Sequence, residues 1–171
     1  MAISLILLQV IDGGSPIEGA CTLEPYQKYI VVDSFDWSVE MDSSGDLKST
    51  KLKPKKVSIS KHFDAASTKM YALMEKDPPF EATLRFIDPA MTVRGVKDVD
   101  AGTVMKIELK GCHIESVSLG ADDSGKSIAM TETITFSFEE SLMLTYNAYS
   151  AKEHARKHSG NVTIKPDKTK E

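Results

Sequence analysis

The chain has 171 residues, 41% of them hydrophobic and 27% charged, with a formal net charge of −4. That composition excludes a disordered or low-complexity chain, and the length suits one domain of roughly 100–200 residues. The acidic balance and the 7% aromatic content argue against a nucleic-acid binder, which usually carries a basic footprint.

Two cysteines, Cys21 and Cys112, are too few for a disulfide scaffold and are expected as free thiols. No run approaches the roughly 18 apolar residues of a membrane span. Met1 to Ile11 is apolar, lacks a basic start and ends at Asp12-Gly13-Gly14, so it is expected to be a first strand rather than a signal peptide.

From Ile30 to Met41 apolar residues alternate with polar ones, with Asp33 as the exception, which predicts a half-buried strand. Residues 42–55 are rich in Gly, Ser, Pro and Lys and are expected to form a long loop. Loops of that length inside a compact domain are usually functional or disordered. Val57 and Ile59, between Lys56, Ser58 and Ser60, predict a short strand.

Asp64 is expected to cap a helix whose stripe is Ala66, Met70, Leu73 and Met74, stopped by Asp77-Pro78-Pro79. Phe80, Ala82, Leu84 and Phe86 predict another strand. A long connection follows over 88–103, with a small hairpin around Val93 to Val96.

Val104 to Leu119 is a long strand signal whose apolar parity slips after Leu109 and again before Val117. Each slip turns the apolar set to the other face, so a bulge is required, and Gly111 is the natural place for one. Residues 120–127 carry turn chemistry. Ile128 to Tyr146 is a second long strand, with Thr131, Thr133, Thr135 and Ser137 giving one face that bears only hydroxyls.

After Tyr149 the pattern dissolves. Residues 151–171 hold six basic and three acidic residues, a net +3 that leaves residues 1–150 at −7. The expected organisation is one domain over 1–150 and a basic, flexible tail over 151–171. The expected fold is mainly β, an antiparallel barrel or sandwich of two sheets with one helix packed on the outside.

No residue pattern marks a catalytic site, a cofactor site or a metal site. His154 and His158 have helical i, i+4 spacing, but Arg156 and Lys157 would repel a cation, and two ligands are few for a site that needs three or four. Cys112 and His113 are adjacent in a strand and point to opposite faces, so they do not form a dyad. Asp122-Asp123-Ser124-Gly125 lacks the final Glu of a calcium loop.

The order of these features is similar to one family. Ile30 to Ser38 is followed by a polar loop and a short strand. Phe63-Asp64-Ala65-Ala66-Ser67 then opens one helix, and a Phe-x-Ala-x-Leu strand follows. After these come Met105-Lys106-Ile107-x-Leu109, Ile114-x-Ser116-Val117 and Met130-Thr131-Glu132-Thr133-Ile134-Thr135-Phe136-Ser137-Phe138. This pattern, spanning about residues 1–150, resembles the haemolysin-coregulated protein (Hcp) family, the tube protein of bacterial type VI secretion systems.

The resemblance implies a β-barrel protomer assembled into homohexameric rings that stack into a hollow tube. The implied partners are further copies of the chain, a spike protein at the tip, a contractile sheath and secreted effectors carried inside. Nucleic acid and membrane insertion are not implied, nor is any cofactor or enzymatic activity. The protein would leave the bacterial cytoplasm for the outside without a cleaved signal peptide.

On this reading Lys48, Lys51, Lys53, Lys55 and Lys56 are candidate ring-stacking or subunit contacts. Asp122, Asp123, Ser124, Thr131, Thr133, Thr135 and Ser137 are candidate lumen and effector contacts. A phage-like tail tube is the neighbouring alternative. A small-ligand barrel and an enzyme using Cys112 or a histidine are the alternatives of other classes.

Overall fold

The computed structural model describes residues 3–42, 51–88, 99–100, 102–123, 125–150 and 155–166. Eleven strands and one helix are described: β1 (Leu5–Asp12), β2 (Ser15–Pro16), β3 (Ile30–Val32), β4 (Ser34–Asp36), β5 (Val39–Asp42), β6 (Lys51–Pro54), β7 (Val57–His62), α1 (Ser67–Lys76), β8 (Phe80–Ile87), β9 (Thr103–Asp123), β10 (Ile128–Ser150) and β11 (Ala155–Ile164). The ladder β2-β1-β8-β9-β10-β7-β4 is antiparallel throughout, with β3 added to β1 and β11 to β10. β5 and β6 form a separate two-stranded ribbon.

The large sheet folds over a common core without closing into a barrel. Leu8 and Val10 of β1, Leu84 of β8, Ile59 of β7 and Ile134 and Phe136 of β10 lie in one buried cluster. Phe35 meets Phe86 edge-on at 5.3 Å, and Phe80 lies 6.2 Å from Phe136. Each such side chain, when fully buried, contributes about 1.5–3 kcal/mol.

The long β9 and β10 belong to both layers because they bend. Gly111 has φ +69° and sits where the ladder to β8 skips a residue, between Leu109 opposite Ala82 and Cys112 opposite Phe80. A Cβ there would lie 2.9 Å from Cγ of Glu140 and 3.2 Å from its backbone nitrogen. The second slip falls at Glu115, the unpaired residue between Ile114 opposite Phe136 and Ser116 opposite Thr135. Both bends stand where the parity slips predict them.

Other boundaries differ from the sequence pattern. The expected strand from Ile30 to Met41 is three pieces. Ile30 and Val32 are buried from one parity, Phe35 and Trp37 pack on the core from the other, and the switch occurs at Asp33. The expected loop 42–55 is partly strand, since Lys51 to Pro54 pair with Val39 to Asp42. Strand β9 runs to Asp123, so residues 120–123 are not turn. Residues 155–164, where the pattern had dissolved, pair with β10 as β11. The expected hairpin at Val93 to Val96 lies outside the described residues.

The helix starts at Ser67 with Ala66 as N-cap, not Asp64. Asp64 shapes the turn before it, its carboxylate accepting from the Ala66 N–H at 2.9 Å. Ala66, Met70 and Leu73 are buried, whereas Met74 is partly exposed. Asp77 ends the helix in the left-handed region at φ 50°, its N–H donating to the Leu73 carbonyl.

Candidate functional site

Strand register turns the hydroxyl face of β10 into a two-dimensional field. Thr133 stands opposite Ser60 of β7 and Ser118 of β9, and Ser60 stands opposite Ser34 of β4. The next row is Asp36, Ser58, Thr135 and Ser116. The two rows cross four strands. The interleaved residues Phe35, Ile59, Ile134 and Val117 point into the core, which forces the hydroxyls outward. Ser34 and Ser60 hydrogen-bond through their hydroxyls.

Ion pairs frame this field at both ends. At the Thr131 end, His62 Nδ1 lies 2.7 Å from Asp33 Oδ2. At the Ser137 end, Glu115 accepts from the Ser137 hydroxyl at 2.9 Å and from Lys56 Nζ at 3.3 Å. The Ser137 hydroxyl and then the Lys56 ammonium hold the Glu115 carboxyl below the usual carboxylate range. His113, opposite Ser137, has Nδ1 2.8 Å from Asp77 Oδ1 and Nε2 3.6 Å from Glu139. The Asp77 hydrogen bond raises the His113 pKa above its ordinary value.

The lumen candidates therefore divide. Thr131, Thr133, Thr135 and Ser137 share the field, joined by Ser34, Ser58, Ser60, Ser116 and Ser118, which sequence reasoning did not single out. Their signal was the Ser-x-Ser spacing in β7 and β9. Asp122 and Asp123 end β9, opposite Ala129 and Ile128, beyond the field. Asp123 accepts from the Gly125 N–H at 2.8 Å. Ser124 lies outside the described residues.

The lysine candidates are partly engaged within the protomer. Lys55 pairs with Glu40 at 3.4 Å and Lys56 with Glu115 at 3.3 Å. Lys53 is exposed on β6 opposite Glu40, and Lys51 stands opposite Asp42. Lys48 lies outside the described residues.

The residues considered for chemistry do not converge. Cys21 and Cys112 are free and buried, and burial pushes the Cys112 thiol up to about 12. His113 faces away from Cys112, and His62 is exposed beside Asp33. His158 lies on strand β11, so the helical spacing with His154 does not hold. Among the described residues no group of three or more His, Cys, Asp or Glu could hold a metal ion, and no helix is long and apolar enough to cross a membrane.

Sequence reasoning also missed a buried ionic cluster beneath the field. Lys61 Nζ lies 2.8 Å from Asp64 and 2.9 Å from Glu132, with side-chain exposures of 0%, 7% and 1%. Ser67 donates to Glu132 at 2.9 Å and accepts from Lys61 at 3.0 Å. The cluster ties β7 and β10 to the start of α1 at the end of the core.

Comparison with known proteins follows the same geometry. No curated protein matches the sequence. Solved structures of similar fold include a type six secretion system protein (TM-score 0.71, 18% identity, 91% of this chain and 93% of that one). Hcp1 from the E. coli EAEC 042 pathovar matches with TM-score 0.68 and 16% identity over 91% of this chain and 97% of that one. Hcp2 from Salmonella typhimurium matches with TM-score 0.64 and 17% identity over 98% of this chain and 100% of that one. The family model described as "Type VI secretion system effector, Hcp" matches residues 8–146, and the chain belongs to that family of type VI secretion tube proteins.

Proposed function

We propose that this Hcp chain forms six-membered rings, stacks them into a tube, and turns the hydroxyl field of β4, β7, β10 and β9 toward the lumen. The observation that carries this reading is the register of Ser34, Ser60, Thr133 and Ser118 across four strands. Hydroxyls exchange hydrogen bonds with water at small net gain or cost, about 0.5–1.5 kcal/mol each. A passing effector meets a wettable surface that grips it weakly, while the ion pairs at the two ends of the field are already internally compensated.

The edges of the field support ring closure. Among the described residues, β4 pairs within the sheet only with β7, and β9 from His113 onward pairs only with β10. Unpaired strand edges are templates for another chain. In a ring, one copy's β4 edge faces the next copy's β9 edge, and the field becomes a continuous inner wall.

The role is structural rather than catalytic. The Lys-bearing ribbon β5–β6 is the stacking element. The partners are further copies of the chain, effectors in the lumen, a spike protein at the tip and a contractile sheath outside. Assembly takes place in the bacterial cytoplasm, and the protein leaves with the tube.

Native mass spectrometry tests the ring, which has six times the protomer mass. Thr133→Cys tests the face. In stacked tubes a bulky polymer maleimide reaches Tyr71→Cys on α1 but not Thr133→Cys. Equal labelling of both sites in tubes overturns the lumen assignment, and a monomer at high concentration overturns the ring.

A further inference from the structure

The protomer leaves two apolar faces uncovered, and each has charge at its margin. In the ribbon, Val39 stands opposite Pro54 and Met41 opposite Leu52, alternating with Glu40 opposite Lys53. One side of the ribbon is therefore apolar, with Val39, Met41 and Leu52 at 36%, 56% and 44% exposure. A two-stranded ribbon is marginal by itself in water, so this side needs a cover that its own protomer does not supply.

The second face is the underside of the β9–β10 tip. On β10 the core-facing parity ends at buried Glu132, and the next residues of that parity, Met130 and Ile128, are 43% and 69% exposed. Leu119, opposite Glu132 and so on the same side, is 47% exposed. The sheet outruns its core here, and exposed Asp122 and Asp123 stand beside the patch.

We propose that the β5–β6 ribbon of one copy docks, apolar side down, on the underside of the β9–β10 tip of a second copy, with Lys53 beside Asp122 and Asp123. The inference rests on the tube reading and names the surfaces that join its copies. Apolar faces meet, and a basic margin meets an acidic one. Glu40 is engaged by Lys55, which leaves Lys53 to face outward. The two surfaces lie on different parts of one protomer, so the contact is heterologous and propagates head to tail, as a stack requires. Both halves are present in this chain, so no other protein is needed to cover either.

The experiment mixes two full-length variants, Leu52→Cys and Ile128→Cys, under conditions where wild type assembles, and adds a short bismaleimide. Both native cysteines are buried, so wild type is the background control. A covalent dimer that forms only in the mixture supports the contact. Assembled wild type with no such cross-link overturns the contact and leaves the ring reading standing, whereas a monomeric wild type overturns both. A second arm reverses charge. Lys53→Asp, or Asp122→Lys with Asp123→Lys, loses most of the stacked material in sedimentation, and mixing the two reversed chains restores it. Stacking unaffected by either reversal overturns the charged half of the contact.

Discussion

Lys61 and Glu132 are direct cross-strand neighbours whose side chains are sealed from solvent, the ammonium 2.9 Å from the carboxylate. The second carboxylate oxygen of Glu132 has no hydrogen-bond partner. Removing one member of a buried ion pair costs about 3–5 kcal/mol because the other charge stays buried, whereas replacing both with apolar groups can be neutral. Lys61→Met is expected to cost that much, a large part of the roughly 5–15 kcal/mol that holds a domain folded. Lys61→Met with Glu132→Leu should recover most of the loss. Urea unfolding midpoints of the single and double variants check this.

Gly111 offers a second stability test. Its φ of +69° disfavours any side chain, and a Cβ would press on the Glu140 backbone nitrogen at 3.2 Å. Gly111→Ala is expected to cost more than the 1–2 kcal/mol of left-handed strain alone. Gly125, at φ +85° with nothing within 4 Å of its Cβ position, isolates the strain. Gly125→Ala should therefore lower the thermal midpoint less than Gly111→Ala.

These sites also show what the sequence made legible. The Gly111 bend followed from parity, because Leu109 and Cys112 cannot both reach the core on a regular strand. The hydroxyl face of β10 was visible along one strand, but its partners Ser34, Ser60 and Ser118 are far apart in the chain and only register joins them. Lys61 and Glu132 did carry a signal. Lys61 continues the inward parity of Val57 and Ile59, and Glu132 interrupts that of Met130 and Ile134. Charged residues are almost never fully buried unless paired, so each looked like a surface residue until the other stood beside it. The ribbon was hidden by composition, since Gly, Ser, Pro and Lys conceal the pairing of Met41 with Leu52.

The His113 environment predicts a pH dependence. Asp77, Glu139 and burial act on the imidazole, and the net effect is a folded pKa above the ordinary value. A raised pKa means the folded state binds the proton more tightly than the unfolded chain. The contribution is fully present below the unfolded pKa of about 6.5 and is lost as pH rises through the folded value. His113→Gln should flatten that part of the stability–pH curve, and an NMR titration of the ring protons should give a midpoint above 6.5 that falls in Asp77→Asn.

Glu115 supplies the opposite sign. The Ser137 hydroxyl and Lys56 lower its pKa, so its contribution is present above the unfolded value and is lost as pH falls through the folded one. Ser137→Ala removes the larger cause and should move the Glu115 midpoint upward, read from its side-chain carbon shifts. Lys56→Met should move it by less.

The hydroxyl field gives the functional prediction. Thr133 is exposed, and surface substitutions away from special features usually change stability by less than about 0.5 kcal/mol. Thr133→Glu should leave the protomer folded and the ring mass essentially unchanged. Six-fold repetition then places six negative charges around the lumen of each ring. Effectors with a basic surface should be retained more strongly and acidic ones less, as read by co-purification with the ring. Thr68→Glu adds the same charge on exposed α1 and serves as the control. A shift in retention for Thr133→Glu alone places the field at the cargo, and equal behaviour of the two variants removes it from there.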